Sequence, residues 1–408
     1  MKEIQVTIEA LAPLAIGRQK PGGSITEAQA YIPGAVMRGA VASRLLSQGA
    51  EPGEPPSGDF QRLFIDSDAA IFGNAYPTLP GQAAQVLPAT AVSSKAQPGF
   101  RSEQAANGGV FDTLIDRYCA EGYGHLYDPN CPHGTGRVEP FGGFYSQTGK
   151  RYQSHSVATR LLTRVGINRR RATAQEKVLY SIEAINEKQL VTHPQGKTWQ
   201  PTHFSSTIRL DDAELANLLT QYLNVGAWRV GGSVSRGLGK VALSAQLKDY
   251  QSQTAQRLKA FNAQLQQRWR TWQVFGSPQT PLASNLSFFT LDLESDAILV
   301  DQWRRTTVIS PGLLCQMAKV EDPDLRLHAS YSSYDYGSGW NVAWGLMKDV
   351  ELLTLKGAVY LYSTPHLDQW LPALERLEQR GVGERTSEGL GQVQVCSAFH
   401  RIFRESAV

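Results

Sequence analysis

Cysteine is scarce, with four in 408 residues. That excludes a disulfide-built scaffold, which packs cysteines far more densely into a shorter chain. No apolar run approaches the roughly 20 residues that span a bilayer. The opening segment carries Glu3 and Glu9 and lacks the apolar centre of a secretion signal. The expectation is a cytoplasmic protein with no membrane partner. Net charge is also small, at +3, which alone does not call for a polyanionic ligand. Locally, one sign of charge is missing altogether. Lys150–Arg171 holds Lys150, Arg151, Arg160, Arg164, Arg169, Arg170 and Arg171 and no acidic residue. Residues 281–408 lean the other way, with 11 Lys+Arg against 16 Asp+Glu, or −5. The remaining 29 and 21 give residues 1–280 a charge of +8. The front of the chain is the candidate polyanion binder.

Hydrophobic residues at 41% and charged residues at 19% fit a globular chain. Its length suits two or three domains. The most distinctive stretch is Gly231–Val241, Gly-Gly-Ser-Val-Ser-Arg-Gly-Leu-Gly-Lys-Val. Glycines permit positive φ and close backbone approach. Successive free N–H groups in such a loop form a concave anion site, and Arg236 and Lys240 add charge. Gly381–Val393 repeats the pattern 152 residues later, with Glu388-Gly389-Leu390-Gly391-Gln392-Val393 matching Arg236–Val241. Both loops follow an expected helix and precede an expected strand, so one module is used twice.

Glu3–Glu9 alternates as a half-buried strand. Pro33 suits a helix start, and Met37, Val41 and Leu45 mark its apolar stripe. Asp211 or Asp212 caps a helix over Ala213–Leu223. Thr173–Ile182 reads as a turn into a strand. Leu367–Arg380 is a helix, and Glu351–Leu355 and Ala358–Tyr362 are strands. Residues 51–150 show poor periodicity and read as a loop-rich insertion. The expected fold is α+β: two βαββαβ, ferredoxin-like (RRM-like) modules over 1–247 and 281–408, joined by a helical connector at 248–280.

The candidate site residues follow from these patterns. The basic run, interleaved with Tyr152, His155 and Asn168, has the composition of a segment that tracks single-stranded nucleic acid. Arg forks onto phosphate or stacks on a base. Arg38, at a helix start, is a further phosphate contact. The expected nucleic-acid contacts are therefore Arg38, Arg164, Asn168, Arg169, Arg170, Arg171, Gly231, Gly232, Ser235, Arg236, Gly237, Gly239 and Lys240. Arg385, Gly389 and Gly391 stand in the second loop. Cys119, His125, Cys131 and His133 could supply four zinc ligands, though their spacing is tighter than usual. Two buried thiols and two solvated imidazoles are the alternative, so no cofactor is expected.

The motifs Tyr31-Ile-Pro-Gly-Ala-Val-Met-Arg-Gly-Ala40, Val165-Gly-Ile-Asn168-Arg169 with Thr173-Ala174 and Leu179-Tyr180, and Gly232–Val241 resemble the RAMP superfamily of RNA-binding proteins from CRISPR effector complexes. Leu355-Lys-Gly-Ala-Val-Tyr-Leu361 and Ser387-Glu-Gly-Leu-Gly-Gln-Val393 resemble the same pattern in the second module. The resemblance covers most of residues 1–50, 150–247 and 285–400. Two such modules in one chain resemble the subunit that caps the crRNA 5′ handle in type III effectors, the III-D variant above all. That implies crRNA, the large polymerase-like subunit and backbone RAMP subunits as partners, and binding rather than cleavage. The second loop departs from the pattern, with Glu388 where the first has Arg236. The enzyme alternative is a metal-independent endoribonuclease using His155 as general base. A third reading is a protein adaptor with vestigial RNA loops.

Overall fold

The computed structural model describes residues 1–17, 27–49, 58–66, 70–101, 108–132, 136–168, 170–193, 196–279, 281–341 and 345–408. Strand β1 (Lys2–Ala10) buries Ile4, Val6 and Ile8 on one face, as their alternation dictates. Helix α1 (Gly34–Gly49) follows Pro33 and buries Met37 and Val41. Two short strands come next, β2 (Ile71–Phe72) and β3 (Tyr76–Thr78). A long excursion carries α2 (Leu114–Gly122). Two hairpins then leave the sheet: β4 (Thr159–Asn168) with β5 (Thr173–Ile185), and β6 (Lys188–His193) with β7 (Gly196–Pro201). The chain returns as β8 (His203–Leu210), α3 (Ala213–Leu223) and β9 (Lys240–Asp249). Asp212 caps α3 by accepting from the amides of Glu214 and Leu215.

The second half follows α4 (Thr254–Trp272) with β10 (Ser287–Leu293), α5 (Pro311–Ala318), β11 (Arg326–Tyr331), β12 (Val359–Thr364), α6 (Leu367–Arg380) and β13 (Val393–Val395). The first sheet runs β9–β1–β8, with β2 and β3 both on the far side of β8. The second runs β13–β10–β12–β11. Each pairing is antiparallel, and each sheet has the order fourth, first, third, second. The architecture is α+β.

The duplication extends to single backbone angles. Ser233 and Arg385 both sit at φ +57°, and Gly237 and Gly389 at +85° and +89°. Val230 donates to the Gly239 carbonyl, and Val382 to that of Gly391, both at 2.8 Å. A Cβ on Gly239 would lie 2.3 Å from the Val230 carbonyl, and one on Gly391 1.8 Å from that of Val382. Only glycine fits these crossings.

What surrounds the two loops differs. A Cβ on Gly237 would meet open space. One on Gly389 would meet the Phe72 carbonyl at 2.6 Å, Asn74 Oδ1 at 2.8 Å and Gly34 Cα at 3.2 Å. The second loop therefore seats on the first half of the chain, where α1 begins. Polar ties reinforce the seam. The Tyr76 hydroxyl donates to the Glu294 carbonyl at 2.6 Å, and Arg209 Nη1 to that of Glu378 at 2.9 Å. Lys356 Nζ stands 4.8 Å from the centre of the Tyr31 ring.

Residues 51–150 hold more structure than expected. Their strands are only two to five residues long, too short for periodicity to register. Their partners lie far away in sequence. Leu114, Ile115, Cys119 and Tyr123 join α4 and the second sheet in one core. Leu87, Ala91, Val110, Phe111 and Tyr145 pack with Phe399, Ile402 and Ala407. Asp116, fully buried, is paired with Arg268 at 2.6 Å and accepts from the Trp272 indole at 3.0 Å. Thr173–Ile182, expected as a turn into a strand, lies wholly within β5.

A buried charge cluster fastens this annex. His400 Nδ1 lies 3.1 Å from Asp112 Oδ2 and Nε2 lies 3.0 Å from Asp292 Oδ1. Burial alone would push the imidazole pKa down, but the two carboxylates outweigh it and hold it up at about 10.

Two predictions follow from this packing. The His400 pKa is raised above its unfolded value near 6.5, so its stabilisation is complete below that pH and is lost as pH rises through about 10. Denaturant unfolding from pH 6.5 to 9 should show falling stability, with the slope flattened in His400→Gln; an equal slope in both proteins refutes the charged imidazole. The left-handed backbone costs a non-glycine residue roughly 1–2 kcal/mol, so Gly237→Ala should destabilise by about that much. Gly389→Ala adds a backbone clash and should lower the unfolding midpoint clearly further; equal shifts would mean that the second loop is not seated.

Candidate nucleic-acid interface

The first glycine loop is held from behind. Gly232 N donates to the Ala15 carbonyl at 2.8 Å, and Gly239 N to that of Pro13 at 2.9 Å. Arg236 N and Gly237 N close on Ser233 and Val234 within the loop's own 3-10 turn. Four amides of the expected anion cradle are thus occupied. Glycine is required at Gly231 and Gly239 for backbone approach, since a Cβ on Gly231 would lie 2.6 Å from the Ala15 carbonyl. What the loop offers outward is side chains, with Ser235, Arg236 and Lys240 all exposed.

Hairpin β4–β5 completes the arrangement. Arg164 and Tyr180 are directly cross-strand. Both terminal guanidinium nitrogens of Arg164, Nη1 and Nη2, donate to the Arg236 carbonyl at 3.4 Å. Arg236 hydrogen-bonds the Tyr180 hydroxyl, and its guanidinium lies 5.2 Å from that ring's centre. Two cations and one aromatic ring, from segments over 50 residues apart in sequence, converge on a half-exposed surface. Such a surface can hold phosphate oxygens and the face of a base.

The other expected contacts divide. Arg170 and Arg171 are exposed at the hairpin tip, and Arg169 lies outside the described residues. Asn168 has a structural duty, as its Oδ1 accepts from the amides of Arg170 and Arg171 at 3.0 and 3.3 Å, an Asx turn that shapes the tip. Arg38 turns inward. It donates to the Phe64 carbonyl at 2.6 Å, and its guanidinium sits over the Phe64 ring. Burial lowers its pKa, partly countered by Glu388.

The second loop carries the opposite charge at the same place. Glu388 binds Lys348 Nζ at 3.0 Å and Arg385 Nη2. Burial alone would raise its carboxyl pKa, but these two cations hold it below the usual range. Arg385, Gly389 and Gly391 are therefore engaged inside the molecule, in the loop that docks on α1.

Tyr152 was expected to stack on bases. Its ring instead packs among Phe100, Tyr145 and Phe399, because the short strand Arg151–His155 lays it against an apolar cluster rather than solvent. The aromatic ring that stands beside the cations is that of Tyr180. Only part of its sequence signal is local: Arg170-Arg171-Ala172 bends the chain between two runs that pair, but the register beside the turn, Asn168 with Thr173, would set Lys177 opposite Arg164, and the irregularity between Val165 and Ile167 brings Tyr180 there instead. His155 Nε2 lies 2.7 Å from Ser146 Oγ, and burial lowers its pKa.

The three suggested zinc ligands among the described residues do not gather. Cys119 lies in the core of the second half, the His125 ring packs on Phe275, and Cys131 donates its thiol to the Arg137 carbonyl at 3.3 Å; His133 lies outside the described residues. Burial raises the Cys119 pKa to about 12, so its thiol stays protonated. Among the described residues, one grouping has ligand-like spacing: Asp322, Asp324 and His366. Asp322 Oδ2 already accepts from Thr364 Oγ1 and the Trp370 indole. Among the described residues, no helix is long and apolar enough to cross a membrane.

No family model matches the sequence, and no curated protein matches it. Similar solved structures include a chain of the type III-B Cmr-beta complex bound to cognate target RNA. It has 13% identity and a TM-score of 0.41, and the match covers 88% of this chain and 86% of that one. A chain from the same complex with target RNA and AMPPnP gives 11%, 0.37, 88% and 86%. One from the apo state gives 12%, 0.29, 60% and 96%.

The His155 environment makes a direct prediction. Its imidazole should titrate below the usual histidine range, read from its ring proton shifts by NMR. A titration at or above 6.5 would place the ring in solvent, away from Ser146.

Proposed function

We propose that this chain is an RNA-binding subunit of a type III CRISPR effector, and that it grips the repeat-derived 5′ handle of crRNA between hairpin β4–β5 and the first glycine loop. The observation that carries the reading is the meeting of Arg164, Arg236 and Tyr180 on one surface. Lys240, Arg170 and Arg171 extend the same positive field. The RAMP-like motifs fall where such a role needs them, on the glycine loop and the hairpin. The sheet order, with helices after the first and third strands, supports two ferredoxin-like modules. An RRM-type sheet binds splayed RNA bases by stacking and edge contacts. The acidic second half, at −5, suits protein neighbours: the large polymerase-like subunit and the first backbone RAMP subunit.

The role is binding rather than cleavage. His155 stands in a small sheet with its Nε2 engaged by Ser146. A general base must reach the 2′-hydroxyl proton, and this nitrogen is turned to a neighbouring side chain.

Handle affinity should fall steeply with salt, since each neutralised phosphate of a single strand adds about 0.7 to the log–log slope. Arg164→Gln/Arg236→Gln should weaken binding and lower that slope by about 1.4, measured by fluorescence anisotropy of labelled handle RNA. Unchanged affinity and slope would remove the RNA reading and favour a protein adaptor. Metal-free incubation with repeat RNA should leave it intact; cleavage that disappears in His155→Ala would install an endoribonuclease instead.

A further inference from the structure

We propose that the outer face of hairpin β6–β7 is a second single-stranded nucleic-acid contact, with Trp199 stacked on a base and Lys188 and Lys197 on the flanking phosphates. The proposal goes beyond the handle-binding groove, because no residue of that groove lies on this hairpin.

The ribbon has two unlike faces. Leu190 pairs directly with Trp199, Lys188 with Pro201 and Thr192 with Lys197. Residues two apart share a face, so Lys188, Leu190, Lys197 and Trp199 lie together. All four are exposed, Trp199 at 66% and Leu190 at 47%. Gln189, Val191 and Gln200, on the opposite face, are half-buried. The hairpin thus turns its largest ring toward solvent.

Charge decides what kind of partner covers that ring. Residues 188–201 contain two lysines and no Asp or Glu. The acidic residue at the hairpin's base, Glu187, is paired with Arg160 at 2.8 Å. The two lysines lie on opposite strands on either side of the Trp199 rung. Four residues separate their rungs, about 13 Å along the ribbon, before their flexible stems lean inward. An indole bracketed by two cations fits a nucleotide better than an apolar protein pocket. Stacking accepts any base, and each ammonium meets a phosphate. The face would recognise a single strand by its chemistry, without reading its sequence.

The test uses the full chain and fluorescein-labelled 12-nucleotide oligouridylate and oligoadenylate, titrated at several salt concentrations. Trp199→Ala should weaken both by about tenfold with little change in salt slope, because stacking is not electrostatic. Trp199→Phe should keep most of the affinity. Lys188→Gln/Lys197→Gln should lower the slope by about 1.4. Circular dichroism and the unfolding midpoint confirm that each variant folds; an exposed site predicts no loss. Wild-type affinity in Trp199→Ala at every salt concentration would overturn the proposal, as would failure of the wild-type chain to bind either oligomer. RNA binding unchanged in Trp199→Ala, with a co-purified protein partner lost, would assign the face to protein and overturn it equally. Loss in Arg164→Gln/Arg236→Gln with no loss in Trp199→Ala would leave the handle reading standing alone. The reverse would remove the handle reading and leave this one.

Discussion

The organisation of the molecule depends on one close backbone approach, the seating of Gly389 against Gly34 and Phe72. Nothing larger than hydrogen fits on the Gly389 α-carbon at that distance. The approach sets the two sheets against each other, and the Tyr76–Glu294 and Arg209–Glu378 ties hold the setting. It also decides the fate of the duplicated loop. One copy becomes a fastener between halves. The other, with the same φ angles, keeps its outer surface open.

A single charge reversal marks the divergence. Position 236 is arginine and its counterpart 388 is glutamate. Arg236 faces a tyrosine on a projecting hairpin, a partner that leaves its positive charge available. Glu388 faces Lys348 and Arg385, which cancel its own charge within the seam. Half-buried ion pairs of this kind gain less than their distances suggest, because each ion loses hydration. Their value lies in penalising any other seating of the loop, which would leave Glu388 buried without cations.

The legible parts of the fold were those with local causes. The glycine loops declared themselves because positive φ and backbone crossings admit few other residues. Alternation gave β1, and the Asp212 cap gave α3. The two hairpins were less visible. Among the described residues, full burial in them is confined to Ala184 and Ile185 at the base of the first, so the apolar–polar alternation that normally marks a strand is weak there. Tyr180 and Trp199 carry no local pattern of their own, because the surroundings of each are set by cross-strand neighbours. The glycine amides misled for a related reason: sequence shows that N–H groups exist, but not that Pro13 and Ala15 are waiting to accept from two of them. Residues 51–150 hid most of all, as their packing partners stand in α4 and at residues 399–407.

That last feature has a consequence for how the chain is made. Val110 exchanges both backbone hydrogen bonds with Val408, and His400 sits between Asp112 and Asp292. On a ribosome, the strands and helix preceding residue 155 emerge roughly 240 residues ahead of the segment that closes over them. Throughout that interval Phe111, Leu87 and Tyr145 lack the apolar cover they have in the finished protein, and Asp112 lacks its counter-ion. The annex therefore completes only once residues 399–408 have emerged, and until then its exposed apolar surface makes the growing chain a natural client for chaperones.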